Sequence, residues 1–293
     1  MMVVFVACVL LAALGLGAWA MFVAPYRYRL VRRTIALPGA PNGAQGVTIL
    51  HISDLHLRRD EKRKLKFLES LAAHPVDFVF ATGDLIEDDG GQEDCIAVLR
   101  RLKGRYGTFA VLGSHDYNEH RLRDVLRHML IAGDRSAVLK NSVARLVDGL
   151  RAAGVRVLIN ENVLVEANGD RFRIVGLDDP YLKRHNIKAA VDGTGAGEFK
   201  IMLVHTPEVV DEAAEAGMDL VFSGHTHGGQ VRVPGIGALV THCKLPPRRA
   251  AGVFAQGRTT FHINHGIGVG KFTGIRFCCR PEATLLTIVA AEE

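Results

Sequence analysis

The sequence predicts an α/β protein that begins with one apolar segment, and three observations predict it. Short runs rich in β-branched and aromatic residues alternate with helix-length stretches; the alternation starts at Val47; and residues 1–25 carry no charged side chain. Strands alternating with helices are the pattern of a sheet covered by helices.

Residues 1–25 contain "VVFVACVLLAALGLGAWAMFV", about the 20 residues needed to cross a bilayer's hydrocarbon core, and read as one transmembrane helix. A cleaved signal peptide would want a basic start, and Met1 to Ala7 holds neither Lys nor Arg. Next comes "YRYRLVRR", which sets Arg27, Arg29, Arg32 and Arg33 beside the span; by the positive-inside rule that side faces the cytoplasm. An Arg pair that follows its apolar run is not a twin-arginine export signal. With the Pro- and Gly-rich "LPGAPNGAQG" after them, residues 26–46 read as a basic juxtamembrane segment and linker.

The folded domain is then residues 47–293. Strands are expected at "VTILHIS", "DFVFATG" and "TFAVLG", with helices near Glu61–His74 and Gln92–Lys103 between them. After His120 the pattern turns helical through "RLRDVLRHML" and "NSVARLVDGLRAAG", and strands return at "VRVLI", "RFRIVGL" and "FKIMLVH". The mixed basic and apolar segment Leu126–Asn141 has two readings, a cap or lid and a plain pair of surface helices.

With 293 residues, 48% of them hydrophobic, the chain can bury one large core. A net charge of +5 comes without an aromatic-studded basic run, so no nucleic acid is expected. Much of the excess lies next to the span, where anionic lipid head groups are the simpler partner. Five cysteines, with Cys8 inside the span and no paired framework, suit a reducing compartment. Cys278 and Cys279 lack a second C-x-x-C and read as small buried hydrophobes.

Five polar clusters each end or follow an apolar strand: "SDLH" (Ser53–His56), "TGDL" (Thr82–Leu85), "GSHD" (Gly113–Asp116), "VHTP" (Val204–Pro207) and "SGHTHGGQ" (Ser223–Gln230). Strand carboxyl ends collect ligand sites in α/β folds, and Asp with His suits borderline divalent metals. Any one cluster alone reads equally as a turn Asp or a core His. Five in the same post-strand position argue together. Ser114, His115 and Asp116 are not a serine-hydrolase triad, because adjacent residues cannot aim their side chains at one another in that chain.

In the order D-x-H, G-D, G-x-H-D, H, G-H-x-H the sequence resembles the calcineurin-like metallophosphoesterases, particularly small bacterial members with an N-terminal membrane segment. The match runs from Val47 almost to the end, through "GLDDP" and the closing "RFCCRPEATLLTI". The resemblance implies a four-layer α/β/β/α sandwich of two mixed sheets and two divalent metal ions, Mn, Fe or Zn, with Mn favoured. It implies Asp54, His56 and His227 as ligands of one metal, Asp84 as the bridging carboxylate, and His205 and His225 on the second metal. His115 would face the scissile phosphate, and Asp116 would either hold the His115 ring or cap a helix. The nucleophile implied is a metal-bound hydroxide.

Ser114 departs from the family's Asn, whose carbonyl serves the second metal, so weaker binding there is expected. Gly224, Gly228 and Gly229 read either as close-approach positions or as ordinary loop glycines. Gln230 and Asp178 are placed near the site by resemblance alone, and His51, His265 and Lys244 are candidate substrate contacts. The activity implied is cleavage of a phosphodiester or pyrophosphate at the bacterial inner membrane, by a single-pass protein facing the cytoplasm. A lipid-linked nucleotide such as UDP-2,3-diacylglucosamine is one substrate that fits. A phospholipid head-group phosphodiesterase and a non-catalytic metal- or phosphate-binding relative are the alternatives.

Overall fold

The computed structural model describes residues 1–119, 139–241, 243–272 and 274–290. Two six-stranded mixed sheets lie face to face. The first has the order β1 (Arg29–Leu37), β16 (Glu282–Ala290), β2 (Thr48–Ile52), β3 (Val76–Thr82), β4 (Gly104–Val111), β7 (Val155–Val157). The second has the order β14 (Gly252–Gln256), β15 (Thr259–Ile263), β11 (Leu220–Ser223), β10 (Phe199–Leu203), β9 (Asp170–Gly176), β8 (Glu161–Ala167). Two small ribbons, β5 (Asn118–Glu119) with β6 (Leu139–Lys140) and β12 (Arg232–Val233) with β13 (Gly237–Ala238), lie apart from them.

Period-two alternation decides which side chain enters which layer. In β3, Phe78 and Phe80 point between the sheets while Val79 and Ala81 point at the helices. In β2, Ile49 faces inward and Leu50 and Ile52 outward. The inter-sheet core is aromatic, with Phe78, Phe80, Phe109, Phe172 and Phe222 all fully buried. Burying each such side chain stabilises the fold by about 1.5–3 kcal/mol. The helices α2 (Lys62–Ser70), α3 (Gln92–Arg101) and Val143–Ala152 close the first sheet through Leu68, Val98 and Leu146. Short helices at Ile187–Ala190 and Val210–Glu215 close the second. The four-layer α/β/β/α sandwich expected from the resemblance is the observed one.

The basic segment after the apolar run departs from expectation. Arg29–Leu37, expected as a juxtamembrane flank, is β1, the edge strand, paired in parallel with all nine residues of β16. Its outer half reads as basic and its inner half as apolar, and the partner that makes it a strand lies some 250 residues away. The folded part therefore begins near Arg29, and only residues 38–47 connect β1 to β2.

α1 (Met2–Phe22) is a helix of 21 residues, about 31 Å at the α-helical rise. Among the described residues it is the one helix long and apolar enough to cross a membrane. Its far end is tied to the domain: the Arg276 N–H donates to the Ala20 carbonyl at 3.0 Å, and Trp19 meets Phe277 edge to face at 6.3 Å. The proposed lid Leu126–Asn141 and the stretch "RLRDVLRHML" lie outside the described residues, apart from 139–141. Cys279 is buried as expected, whereas Cys278 is exposed at a turn with φ 49°.

Candidate metal centre

The five clusters follow the carboxyl ends of β2, β3, β4, β10 and β11, so both sheets feed one edge of the sandwich. Backbone bonds stitch the loops together: Asp54 N–H to the Gly83 carbonyl, His56 N–H to that of Asp84, and Gly224 N–H to that of His205. Asp54, His56, Asp84, His225 and His227 all sit at positive φ, between 43° and 70°. That left-handed region costs a non-glycine residue on the order of 1 kcal/mol and persists where neighbours fix it. Here it turns successive side chains inward from very short loops. Gly113 and Gly224 permit the close packing, since a Cβ at either would collide with a carboxylate oxygen, of Asp84 and Asp54 respectively.

Three sets of donor atoms converge: Asp54, His56 and His227; His56, Asp84 and His115; and Asp54, Asp84 and His205. Asp84 Oδ2 lies 3.1 Å from His205 Nε2 and 3.6 Å from His56 Nε2, and His227 Nε2 lies 3.5 Å from Asp54 Oδ1. Asp84 thus stands between the two halves, where a bridging carboxylate would be. His225 stands further out; its backbone N–H donates to Asp54, and its ring meets that of His205 edge to face at 5.2 Å. Ser114 opens the four-residue helix α4 (Ser114–Tyr117) and is buried.

The donor set fits two divalent cations. Asp54 and Asp84 are both buried, an arrangement that is costly unless positive charge compensates it. Burial raises the Asp54 carboxyl, and the neighbouring Asp84 charge adds to that. His205 Nε2 is buried and faces Asp84 Oδ2 at 3.1 Å, while Nδ1 is fixed 2.8 Å from the Thr82 carbonyl, so Nε2 is the atom aimed at the carboxylate cluster. Burial, with His56 next, holds His227 well below the usual imidazole range, in the neutral form that binds metals. The Arg276 guanidinium, 3.3 Å from His227 Nδ1, can only donate, so the His227 proton sits on Nε2 toward His56 Nε2 at 3.2 Å. Ligation through Nε2 would require the ring's one proton to sit on Nδ1 instead, with the Arg276 contact rearranged.

Asp116 does not face the His115 ring. Its carboxylate accepts the N–H groups of Leu85, Ile86 and Gly113, so it caps α4 and clamps the β3 and β4 loops together. The ring is faced instead by Glu87, whose Oε2 lies 3.3 Å from His115 Nδ1 and 2.7 Å from His56 Nδ1. Burial alone would lower His115, but Asp84 and Glu87 outweigh it and push the imidazole up to about 9.

Glu87 and Arg276 were not picked out from the sequence. A carboxylate three residues after Asp84 was the available signal for Glu87. Arg276 had none, because the carbonyls that bind its fully buried guanidinium, those of His265, Gly266 and Gly268, are 8 to 11 residues away. His51 is no substrate contact: it is buried between the sheets, 2.8 Å from both His262 Nδ1 and Thr82 Oγ1. His265 pairs with Glu282, Lys244 is exposed, and Asp178 is bound by Tyr117 and Arg184.

Two facing mixed sheets with an Asp/His cluster where their strands end define a metal-dependent phosphoesterase. The calcineurin-like phosphoesterase profile matches residues 47–229, and the chain belongs to that family. It is 28% identical to the uncharacterized metallophosphoesterase YkuE of Bacillus subtilis, over 95% of this chain and 91% of that protein. It is also 28% identical to the UDP-2,3-diacylglucosamine pyrophosphatase LpxG of Chlamydia trachomatis, over 92% and 91%. Identity to the phosphodiesterase YaeI of Escherichia coli is 28%, over 90% of each chain.

Proposed function

We propose that this phosphoesterase is a single-pass protein of the bacterial inner membrane, facing the cytoplasm, that cleaves the phosphodiester or pyrophosphate bond of a lipid-linked substrate. One observation carries the reading: the ligand loop is joined to the end of the apolar helix. Gln230, three residues after His227, accepts the Phe277 N–H at 2.9 Å, and Phe277 packs on Trp19 of α1. The ribbon β12–β13 starts from the same loop and exposes Ile236, Leu239 and Val240. A bilayer holding α1 would therefore lie beside the metal centre, within reach of a substrate that stays in the membrane. The pyrophosphatase LpxG among the relatives supports UDP-2,3-diacylglucosamine as the first substrate to test.

Two divalent cations held by Asp54, His56, Asp84, His205, His225 and His227 would activate water and clamp the attacking and leaving oxygens. Around them this chain supplies the proton chemistry. His115, whose imidazole Asp84 and Glu87 raise when no cation is bound and which Glu87 continues to face, stabilises charge on the phosphate or gives its proton to the leaving oxygen. Glu87 orients His56 and His115 together, and Asp116 holds the loop on which His115 stands.

The test is hydrolysis of UDP-2,3-diacylglucosamine and of bis-p-nitrophenyl phosphate by the full chain in detergent, metal-stripped and then titrated with Mn²⁺, Fe²⁺ or Zn²⁺. Metal-dependent turnover of the lipid, lost in Asp84→Ala, is expected. Turnover of the generic diester alone would overturn the lipid assignment, and no turnover of either would point to a binding protein.

A further inference from the structure

A second feature lies outside the metal centre. A shallow cavity of about 370 Å³, widely open to solvent, lies where the chain leaves α1, lined by Arg27, Arg63, Lys66 and Arg280. These four cations come from three separate places: the turn after α1, the outer face of α2, and the loop before β16. On α2 the spacing is helical, because Arg63, Lys66, Phe67 and Ser70 share one face and all line the cavity. An adjacent, inward side of α2 carries Lys64, buried and bonded to the Leu55 and His56 carbonyls, so one helix braces a ligand loop and lines the cavity.

Among the described residues no acidic side chain lines the cavity. Among the described residues none of the four cations is ion-paired, whereas nearby Arg29 is, to Glu282 at 2.7 Å. Burial, with Arg27 and Arg29 close by, holds the Arg280 guanidinium below its ordinary value. Arg280 is nevertheless fixed in place, Nε donating to the Arg27 carbonyl at 3.1 Å. The remaining wall is aromatic: Tyr28 stacks on Phe67 at 5.3 Å, and the Arg63 guanidinium lies 6.0 Å from the Tyr26 ring. Converging, uncompensated cations beside tyrosines, at the exit of an apolar helix, match the chemistry of the head-group layer, where tyrosines concentrate and basic residues meet lipid phosphates.

We propose that this cavity is a binding site for the phosphate head group of an anionic glycerophospholipid, separate from the metal centre. The proposal rests on α1 lying in a bilayer. A free phosphate ester shares the anion, but the site's position at the helix exit and its aromatic wall favour the lipid.

The test is calorimetric titration of the full chain, in neutral detergent with chelator present, using dihexanoyl phosphatidylglycerol, dihexanoyl phosphatidylcholine and inorganic phosphate. Saturable binding of the phosphatidylglycerol is expected, with the other two weaker. Arg63→Gln/Lys66→Gln should weaken it at least about tenfold, given what each cation near a lipid phosphate contributes. Arg280→Gln, on a different element, should weaken it in the same direction, and each variant should keep the wild-type melting temperature. Unchanged affinity in these variants would overturn the site, and equal affinity for inorganic phosphate would overturn the lipid. Detergent presents the cavity whether or not α1 spans a bilayer. Loss of vesicle association by the wild type would therefore refute the anchor separately.

Discussion

Replacing Glu87 by Gln removes one buried negative charge and keeps the side chain's size. In the native protein Glu87 Oε2 accepts from His56 Nδ1 at 2.7 Å, which leaves His56 Nε2 bare toward the cluster, and it faces His115 Nδ1 at 3.3 Å. Carboxylates that orient a ligating imidazole are worth about 10- to 100-fold in metal affinity, or about 1.4–2.7 kcal/mol. His115 should respond too. Asp84 and Glu87 together push it up to about 9, so without Glu87 its proton leaves at lower pH. If the protonated ring is the active form, the alkaline limb of kcat moves toward neutrality in Glu87→Gln by about one unit. Competition against a fluorescent chelator reads the affinity, and a pH–rate profile reads the limb. Affinity within about threefold of wild type, with an unmoved limb, would refute the orienting role.

Ser114→Asn should tighten binding of one of two metal equivalents and leave the other unchanged, read by calorimetry; identical isotherms would show that Ser114 or a water already fills the place. Glu282 tests the tie between β1 and β16. Burial would raise its carboxyl, but His265 and Arg29 outweigh that and hold it at about 2, below the ordinary 4.5. Its contribution is therefore full above pH 4.5 and lost as pH falls toward 2. Allowing for the exposure of Arg29, Glu282→Gln should cost about 1–2 kcal/mol at pH 7, a drop of a few degrees in Tm. The gap should begin to narrow below pH 4.5 and close only near pH 2, and a gap that does not narrow over that range would show that packing, not charge, is lost.

Much of the metal centre was legible because its motifs are local. Asp54 and His56 are two residues apart, as are His225 and His227, and each pair turns inward on a loop whose left-handed backbone is set within a few residues. The strand-to-loop position of each cluster also followed from short-range patterning. The apolar helix was legible for the same reason, being one continuous run.

What tertiary structure decided is everything that depends on residues far apart in the chain. Arg29–Leu37 has the composition of a membrane flank and becomes a strand only because β16, some 250 residues later, lies beside it. Asp116 adjoins His115 in sequence but points away from it, because three N–H groups at the ends of β3 and β4 claim its oxygens. The carboxylate that does reach His115 comes from another loop, and Arg276 joins the apolar helix to the ligand loop through its own backbone and side chain. A sequence pattern reports which side chains a short loop can aim. Which of them meet is set by the packing of the two sheets.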